Sequence, residues 1–450
     1  MIQEMIKKAK VAQQRFEQYD QKQVDELVRV IGKVVYDNAE MLARMAVDET
    51  RMGVYEDKVA KNKGKARVIW NDIKSKKSVG VINRDEESNV IEIAKPIGVV
   101  GAVTPTTNPI VTPMCNAMFA LKGRNSIIIA PHPRAKKCSG KTVELINEKL
   151  KELNAPENLI QIIEEPSIEK TNELMKSVDV VVATGGMGMV KAAYSSGKPA
   201  FGVGAGNVQV IVDRNIDFYD AASKIITGRS FDNGIICSGE QTIIAHEDDY
   251  EDVIKAFEDQ GCYLVRDPEE KDKLRKTIFK GGHMNKDVVG QSTSKIAEMA
   301  GVNIPKDTKI ILLEADGIGE EDDLCREKMC PVMSTFIYKD IDEAINIAKT
   351  NLELEGNGHS AAVHSESLEN IEKVGKSLCV SRLVVNAPSA TTAGGSLTNG
   401  FSPTTTLGCG SWGNNSISEN FTFKHLLNIS RIGLLQEDKE VPSDDEIWAS

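Results

Sequence analysis

The chain has 450 residues, 41% of them hydrophobic and 27% charged, which is too long for one ordinary compact domain and too apolar for disorder. Its net charge of −11 argues against nucleic acid or anionic membranes as partners, though not against a local basic pocket for phosphate. No apolar run is long enough to span a bilayer, and the N-terminal stretch MIQEMIKKAKVAQQRFEQY lacks the apolar core and cleavage site of a signal peptide, so a cytoplasmic location is expected.

Residues 1–75 read as helices. Val28, Val30, Ile31, Val34 and Val35 recur at helical spacing, as do Met41, Leu42, Met45 and Ala46. SVGVINRDEESNVIEIAKP then places two β-rich runs around a polar turn, which predicts a hairpin. Such a hairpin is rarely stable alone and should lie against another domain or subunit. From Pro96 onward the texture changes. IGVVGAVTP, NSIIIAP, LIQIIEE and VDVVVAT are short continuous apolar runs separated by helical stretches, the pattern of a parallel α/β sheet. Ligands of such sheets sit at the carboxyl ends of the strands. A second α/β stretch follows Asn207, with VQVIVD, QTIIAH, TKIILLEA, MSTFIYK, SAAVHS and LVVNAP as strand candidates. The segment 386–420 is a long run rich in Gly, Ser, Thr and Asn, and such loops are usually functional. KHLLNISRIG reads as one more strand.

Eight cysteines are scattered with no CxxC and no Cys–His cluster at zinc spacing, so reduced thiols and no metal are expected. Cys237, in FDNGIICSGEQ, lies between two Gly-containing turns ahead of a strand. Backbone N–H groups at such a loop can stabilise a thiolate or an oxyanion. The competing reading is a small buried structural residue. Asn108, in TPTTNP, offers an amide to an oxyanion or merely a turn before proline. Thr184, Gly185 and Gly186 follow the strand VDVVVAT and open a helix, the layout that brings a dinucleotide to backbone N–H groups, although the full GxGxxG is absent. His132 and Arg134, in PHPRAKK, end another strand with basic groups suited to ribose and phosphate. Glu327 in CREKMCP is a candidate for holding a ribose, and His359 in EGNGHS for acid–base work near neutral pH. A capping or pairing role for the first and a plain hydrogen-bonding role for the second are the simpler alternatives.

Together these segments make the chain resemble the CoA-acylating branch of the aldehyde dehydrogenase superfamily, and within it most of all the acylating succinate-semialdehyde dehydrogenases. KPIGVVGAVTPTTNP, VVVATGG, KPAFGVGAGN, FDNGIICSGEQ, EKMCPV, SRLVVNAPS and TLGCGSWGNNSISEN occur in the family's order over essentially the whole chain. The resemblance implies a Rossmann-like dinucleotide-binding domain (1–77 and 96–207), a catalytic thiol domain (208–423) and a β oligomerisation element (78–95 and 424–450). It implies at least a homodimer. It assigns Cys237 as nucleophile, Asn108 and the Cys237 N–H as oxyanion hole, and His359 as a histidine near the thiol. Glu327, Thr184, Gly185, Gly186, Thr104, Pro131, His132 and Arg134 fall to the cofactor. Ser238, Arg382 and the 389–406 loop are candidates for holding the substrate. The implied co-substrates are NAD or NADP and coenzyme A. The implied substrate is succinic semialdehyde with succinyl-CoA, with acetaldehyde, propionaldehyde or sulfoacetaldehyde as alternatives, and a non-catalytic assembly protein as the reading from another class. No alcohol dehydrogenase module is expected, so the aldehyde is not reduced further by this chain.

Two departures sharpen these expectations. Hydrolytic relatives carry a Glu that activates the deacylating water in a Glu-Leu-Gly-Gly loop. Here the matching stretch is Gly204-Ala205-Gly206-Asn207, without a carboxylate. A thiolate such as that of CoA needs no such base. NAD-preferring relatives often carry an acid after the strand that here ends at Ala130; Pro131-His132-Pro133-Arg134 replaces it, which should tolerate a 2′-phosphate.

Overall fold

The computed structural model describes residues 1–449. Its centre is two parallel sheets facing one another across a gap. The first has five strands in the order Ile160–Ile162, Ser126–Pro131, Val99–Thr104, Val180–Thr184, Ala200–Val203. Ser126–Pro131 and Val99–Thr104 are buried along their whole length, which is why their sequences are continuous apolar runs rather than alternating ones. From Val99–Thr104 the chain first winds outward through two helices to one edge, then returns and winds to the other. The point of reversal therefore lies between Val99–Thr104 and Val180–Thr184.

The second sheet has seven parallel strands in the order Cys262–Leu264, Ile310–Glu314, Val332–Tyr338, Thr242–His246, Val210–Val212, Gly358–His364, Val380–Val385. One of its faces packs against helices Phe218–Ser230 and Tyr250–Glu258 through Ile225, Ile254 and Phe257; the other packs against Ile341–Leu354 and Leu368–Ser377 through Ala344, Ala348 and Val374.

A third, antiparallel sheet pairs the hairpin Gly80–Asp85/Val90–Pro96 with Leu427–Gly433. Asp85 closes the hairpin turn by accepting the N–H groups of Glu87 and Ser88. This sheet is largely exposed, with Ala94 its one buried apolar side chain among the three strands.

The N-terminal helices wrap the five-stranded sheet. Helix Tyr55–Ile73 buries Lys58, Lys61, Asn62, Ala66, Ile69 and Ile73, an inward stripe at three- and four-residue spacing. Two lysines on that stripe are unusual, and they lead to the site. No helix among the described residues is long and apolar enough to cross a membrane.

Candidate active site

The carboxyl edge of the five-stranded sheet faces the amino edge of the seven-stranded one. Thr104, Pro131 and Thr184 end their strands on one side. On the other, Gly206, Cys237 and Glu327 lie just before Val210–Val212, Thr242–His246 and Val332–Tyr338. The carboxyl strand ends of the first sheet thus line the gap, whereas the thiol comes from the opposite end of the second.

Cys237 sits in a turn closed by Gly239 N–H donating to the Ile236 carbonyl at 2.8 Å. The turn is launched from an unusual backbone: Asp232 and Asn233 are both left-handed, with φ of 53°. Asp232 is held there by Lys58 at 3.0 Å and Lys61 at 2.6 Å, and it accepts the Val54 N–H at 2.8 Å. Lys61 also donates to the Thr107 carbonyl at 3.3 Å, beside Asn108. One buried ion cluster therefore ties the loop that bears the thiol to the loop that bears the amide.

Cys237 and Asn108 line two cavities at once. The first, of about 300 Å³, lies between helix Tyr55–Ile73 and the 390–407 loop; Lys61, Lys65, Val68, Ser238, Gly395 and Thr404 are among its walls. Lys65 is half-buried here and donates to the Gly394 carbonyl at 2.9 Å and the Thr404 carbonyl at 3.1 Å. Burial lowers its pKa to about 8, against the opposing pull of Cys115 and Cys237. No carboxylate of the described residues forms an ion pair with it, in contrast to Lys61.

The second cavity, of about 540 Å³, runs along the carboxyl edge of the five-stranded sheet. Thr104, Pro131, His132, Arg134, Thr184, Gly185, Gly186 and Glu327 all line it. A side chain added at Gly185, Gly186 or Gly188 would meet open space, so the backbone before helix Met187–Tyr194 is free to be approached closely. Lys286, from the other domain, joins His132 and Arg134. Burial, then Arg134 and Lys286, push the His132 imidazole below its usual pKa, the mark of an uncompensated cationic corner. These features fit a dinucleotide: glycines at the reversal point, a carboxyl group beside the thiol and a basic end.

Glu327 accepts the Gly206 N–H at 3.2 Å. Burial, with the neighbouring Glu355, pushes its carboxyl to about 8. Burial and then Glu327 push the Cys237 thiol to about 12, so without ligands the sulfur is protonated. A cation arriving in the cleft would reverse that balance.

Three sequence candidates lie elsewhere or act differently. Arg382 lines neither cavity. It is buried, with its guanidinium bonded to Ser360 Oγ, Asn420 Oδ1 and the carbonyls of His359 and Gly408, so it braces loops rather than facing substrate. His359 is also buried outside both linings. Its Nδ1 lies 3.1 Å from Ser360 Oγ and its Nε2 has no partner among the described residues. Burial, then Arg382, lower it to about 3, so it is neutral at physiological pH and not a ready proton donor in this conformation. Ser238 does line the first cavity, but its hydroxyl reaches the Ala390 carbonyl at 3.4 Å. Sequence reasoning missed Lys61, Lys65 and Lys286. Lys61 had a signal, since it falls with Lys58 on the apolar stripe of its helix; Lys65, one turn on, lies half-buried at the edge of that stripe. Lys286 had none. No cluster with metal-ligating composition occurs among the described residues.

The aldehyde dehydrogenase family model matches residues 1–298. The chain is 60% identical over 447 residues to the succinate-semialdehyde dehydrogenase (acetylating) of Clostridium kluyveri, covering 99% of this chain and 98% of that protein. The crystal structure of an acetylating aldehyde dehydrogenase from Geobacillus thermoglucosidasius superposes with a TM-score of 0.94 at 40% identity, over 98% of this chain and 97% of that one. A propionaldehyde dehydrogenase from Rhodopseudomonas palustris, solved with bound CoA and an acylated cysteine, superposes with a TM-score of 0.85 at 32% identity, over 96% and 97% of the two chains.

Proposed function

The chain belongs to the aldehyde dehydrogenase family, in its CoA-acylating branch, and from that premise we propose that it interconverts succinyl-CoA and succinic semialdehyde with NADP(H) as preferred redox partner. The observation that carries the substrate is Lys65. A half-buried ammonium without a carboxylate partner, in the cavity that also reaches Cys237, suits a substrate bringing its own carboxylate. Acetaldehyde and propionaldehyde would leave that charge unpaired. Sulfoacetaldehyde carries an anionic sulfonate and is the second reading on the same observation.

In the reductive direction the Cys237 thiol first gives its proton to solvent, and Cys237 Sγ adds as thiolate to the thioester carbonyl. Asn108 and the Cys237 N–H hold the oxyanion. The C–S bond to CoA breaks, CoA leaves as its thiolate, and the acyl group stays on Cys237 as a new thioester. NADPH, when bound, supplies a hydride to that carbonyl carbon. The second oxyanion collapses, expels the Cys237 thiolate and frees the aldehyde. Thr184, Gly185 and Gly186 would receive the pyrophosphate, and Glu327 the nicotinamide ribose. His132, Arg134 and Lys286 would receive the 2′-phosphate. Gly204 keeps the deacylation path clear of a water-activating base. The antiparallel three-stranded sheet, with Ile432 exposed on it and Leu435 exposed just after it, is the proposed contact with a second copy.

Initial rates with succinyl-CoA, acetyl-CoA and sulfoacetyl-CoA against NADPH and NADH test the reading. Succinyl-CoA with NADPH should give the highest kcat/KM; an equal or higher value with acetyl-CoA would refute the substrate. Cys237→Ala should keep cofactor binding and lose turnover.

A further inference from the structure

The strand Thr242–His246 is entered through Glu240 and Gln241, three and four residues after Cys237. Consecutive side chains of an extended chain project to opposite sides. These two reach different walls of the active site. Glu240 is fully buried and its carboxylate accepts the Ser389 N–H at 2.5 Å. That N–H begins the short helix Ser389–Thr392, whose Ala390 and Thr391 face the cavity holding Lys65. Gln241 Oε1 accepts the Lys328 N–H at 2.9 Å, next to Glu327 in the dinucleotide cleft.

Both anchors sit on fixed backbone. Gln241 N–H donates to the Val208 carbonyl at 2.9 Å and its own carbonyl accepts from Ser334 N–H at 3.0 Å. Room for the Glu240 carboxylate is provided by Gly228, where a β-carbon would lie 2.1 Å from Glu240 Oε2. A buried carboxyl group is costly, and the one hydrogen bond that Glu240 makes, through Oε1, goes to a loop remote in sequence, while its Oε2 has no partner among the described residues.

We infer that Glu240 and Gln241 are positioning residues that separately fix the acyl-cavity wall and the Glu327 loop to the segment presenting Cys237. The inference rests on the acylating-dehydrogenase reading above. Substrate alignment and cofactor alignment are then set by neighbouring residues yet remain separable.

The test is oxidative steady-state kinetics at saturating CoA, with KM measured for both succinic semialdehyde and NADP+. Glu240→Ala should raise the aldehyde KM at least about tenfold, as expected when a buried N–H donor is left without its acceptor, and leave the NADP+ KM within about twofold. Gln241→Ala should do the reverse. Glu240→Gln and Gln241→Glu, which keep an acceptor oxygen, should restore most of each loss. Ser389→Pro removes the N–H donor, together with the Ser389 hydroxyl, at a helix start that tolerates proline, and its ring displaces the Glu240 carboxyl from that N. It should reproduce Glu240→Ala, and the double variant should be no worse than either single one. Equal effects on both KM values, no effect on either, or a silent Ser389→Pro would overturn the inference. Failure of the parent reading shows earlier and separately, as absence of CoA-dependent NADP+ reduction by the unaltered enzyme.

Discussion

A β-carbon on Gly206 would lie 1.7 Å from the carbonyl oxygen of Cys237. The loop Gly204–Asn207 therefore supports the nucleophile's backbone by direct contact, and it does so only because position 206 has no side chain. Asn207 anchors the far end of that loop, donating to the carbonyls of Cys325, Asn351 and Glu355 at 2.8, 3.2 and 3.0 Å. The loop cannot easily retreat to make room.

Gly206→Ala must displace either the loop or the Cys237 turn. A shift of about 1 Å at a reacting group costs on the order of 100-fold in rate, and kcat for Gly206→Ala should fall by about that factor. The rate of Cys237 alkylation should change with it. Gly204→Ala is the control: the nearest atom to its β-carbon is Met187 Sδ at 3.4 Å, ordinary contact. That variant should fold normally and lose far less rate than Gly206→Ala, because its β-carbon displaces no backbone.

The same space makes a gain of function possible. Gly204 lines the cleft that also exposes Cys237. Gly204→Glu places a carboxylate where hydrolytic relatives carry their base. It should introduce CoA-independent oxidation of succinic semialdehyde to succinate, read as NADP+ reduction in the absence of CoA. General-base assistance is worth about 100-fold or more on the deacylation step. If CoA-free turnover stays at background while the CoA-dependent rate survives, the missing carboxylate does not explain the choice of acceptor.

Much of this was legible in the sequence because burial on both faces leaves an unmistakable mark. SIIIAP and VVVAT can be little else than interior parallel strands, and both are. The thiol, the glycine-rich turn and the basic PHPR segment were readable because each interrupts such a strand pattern at its end. What stayed hidden depends on packing between distant segments. Lys65 becomes meaningful only when the 390–407 loop closes over it, 329 residues away from its partner Gly394. Arg382 looked like a free cation suited to an anionic substrate, but four protein acceptors surround it. His359 looked like a neutral-pH acid, but burial removes its proton. Charge in a sequence is visible; whether it is already satisfied is not.

Lys65 gives a pH signature. Its pKa is lowered to about 8 by burial, so the free enzyme carries the ammonium below pH 8 and loses it above. A carboxylate substrate binds the charged form. KM for succinic semialdehyde should therefore be flat below about pH 8 and rise about tenfold per pH unit above it, whereas KM for propionaldehyde should show no such limb. Lys65→Arg, always charged, should remove the rise. Lys65→Met should raise the succinic semialdehyde KM at all pH values. A propionaldehyde profile that follows the succinic semialdehyde profile would place the titration elsewhere.

Asp232 joins stability to catalysis. It is buried, and burial alone would raise its pKa, but Lys61 and Lys58 outweigh that and hold it below the usual carboxylate value. A carboxylate depressed in this way stabilises the fold above its unfolded pKa and ceases to do so as pH falls through the folded value. Asp232→Asn leaves two buried ammonium groups without their counter-charge. Breaking such a pair costs about 3–5 kcal/mol, and urea unfolding at pH 7 should show a loss of that size. The stability gap between parent and variant should narrow as pH is lowered into the acid range, where the parent's own carboxylate becomes protonated. Because Lys61 also holds the Thr107 carbonyl beside Asn108, kcat should fall even at temperatures where the variant is folded. A folded variant with full kcat would separate the ion cluster from the oxyanion hole and confine Asp232 to a purely structural part.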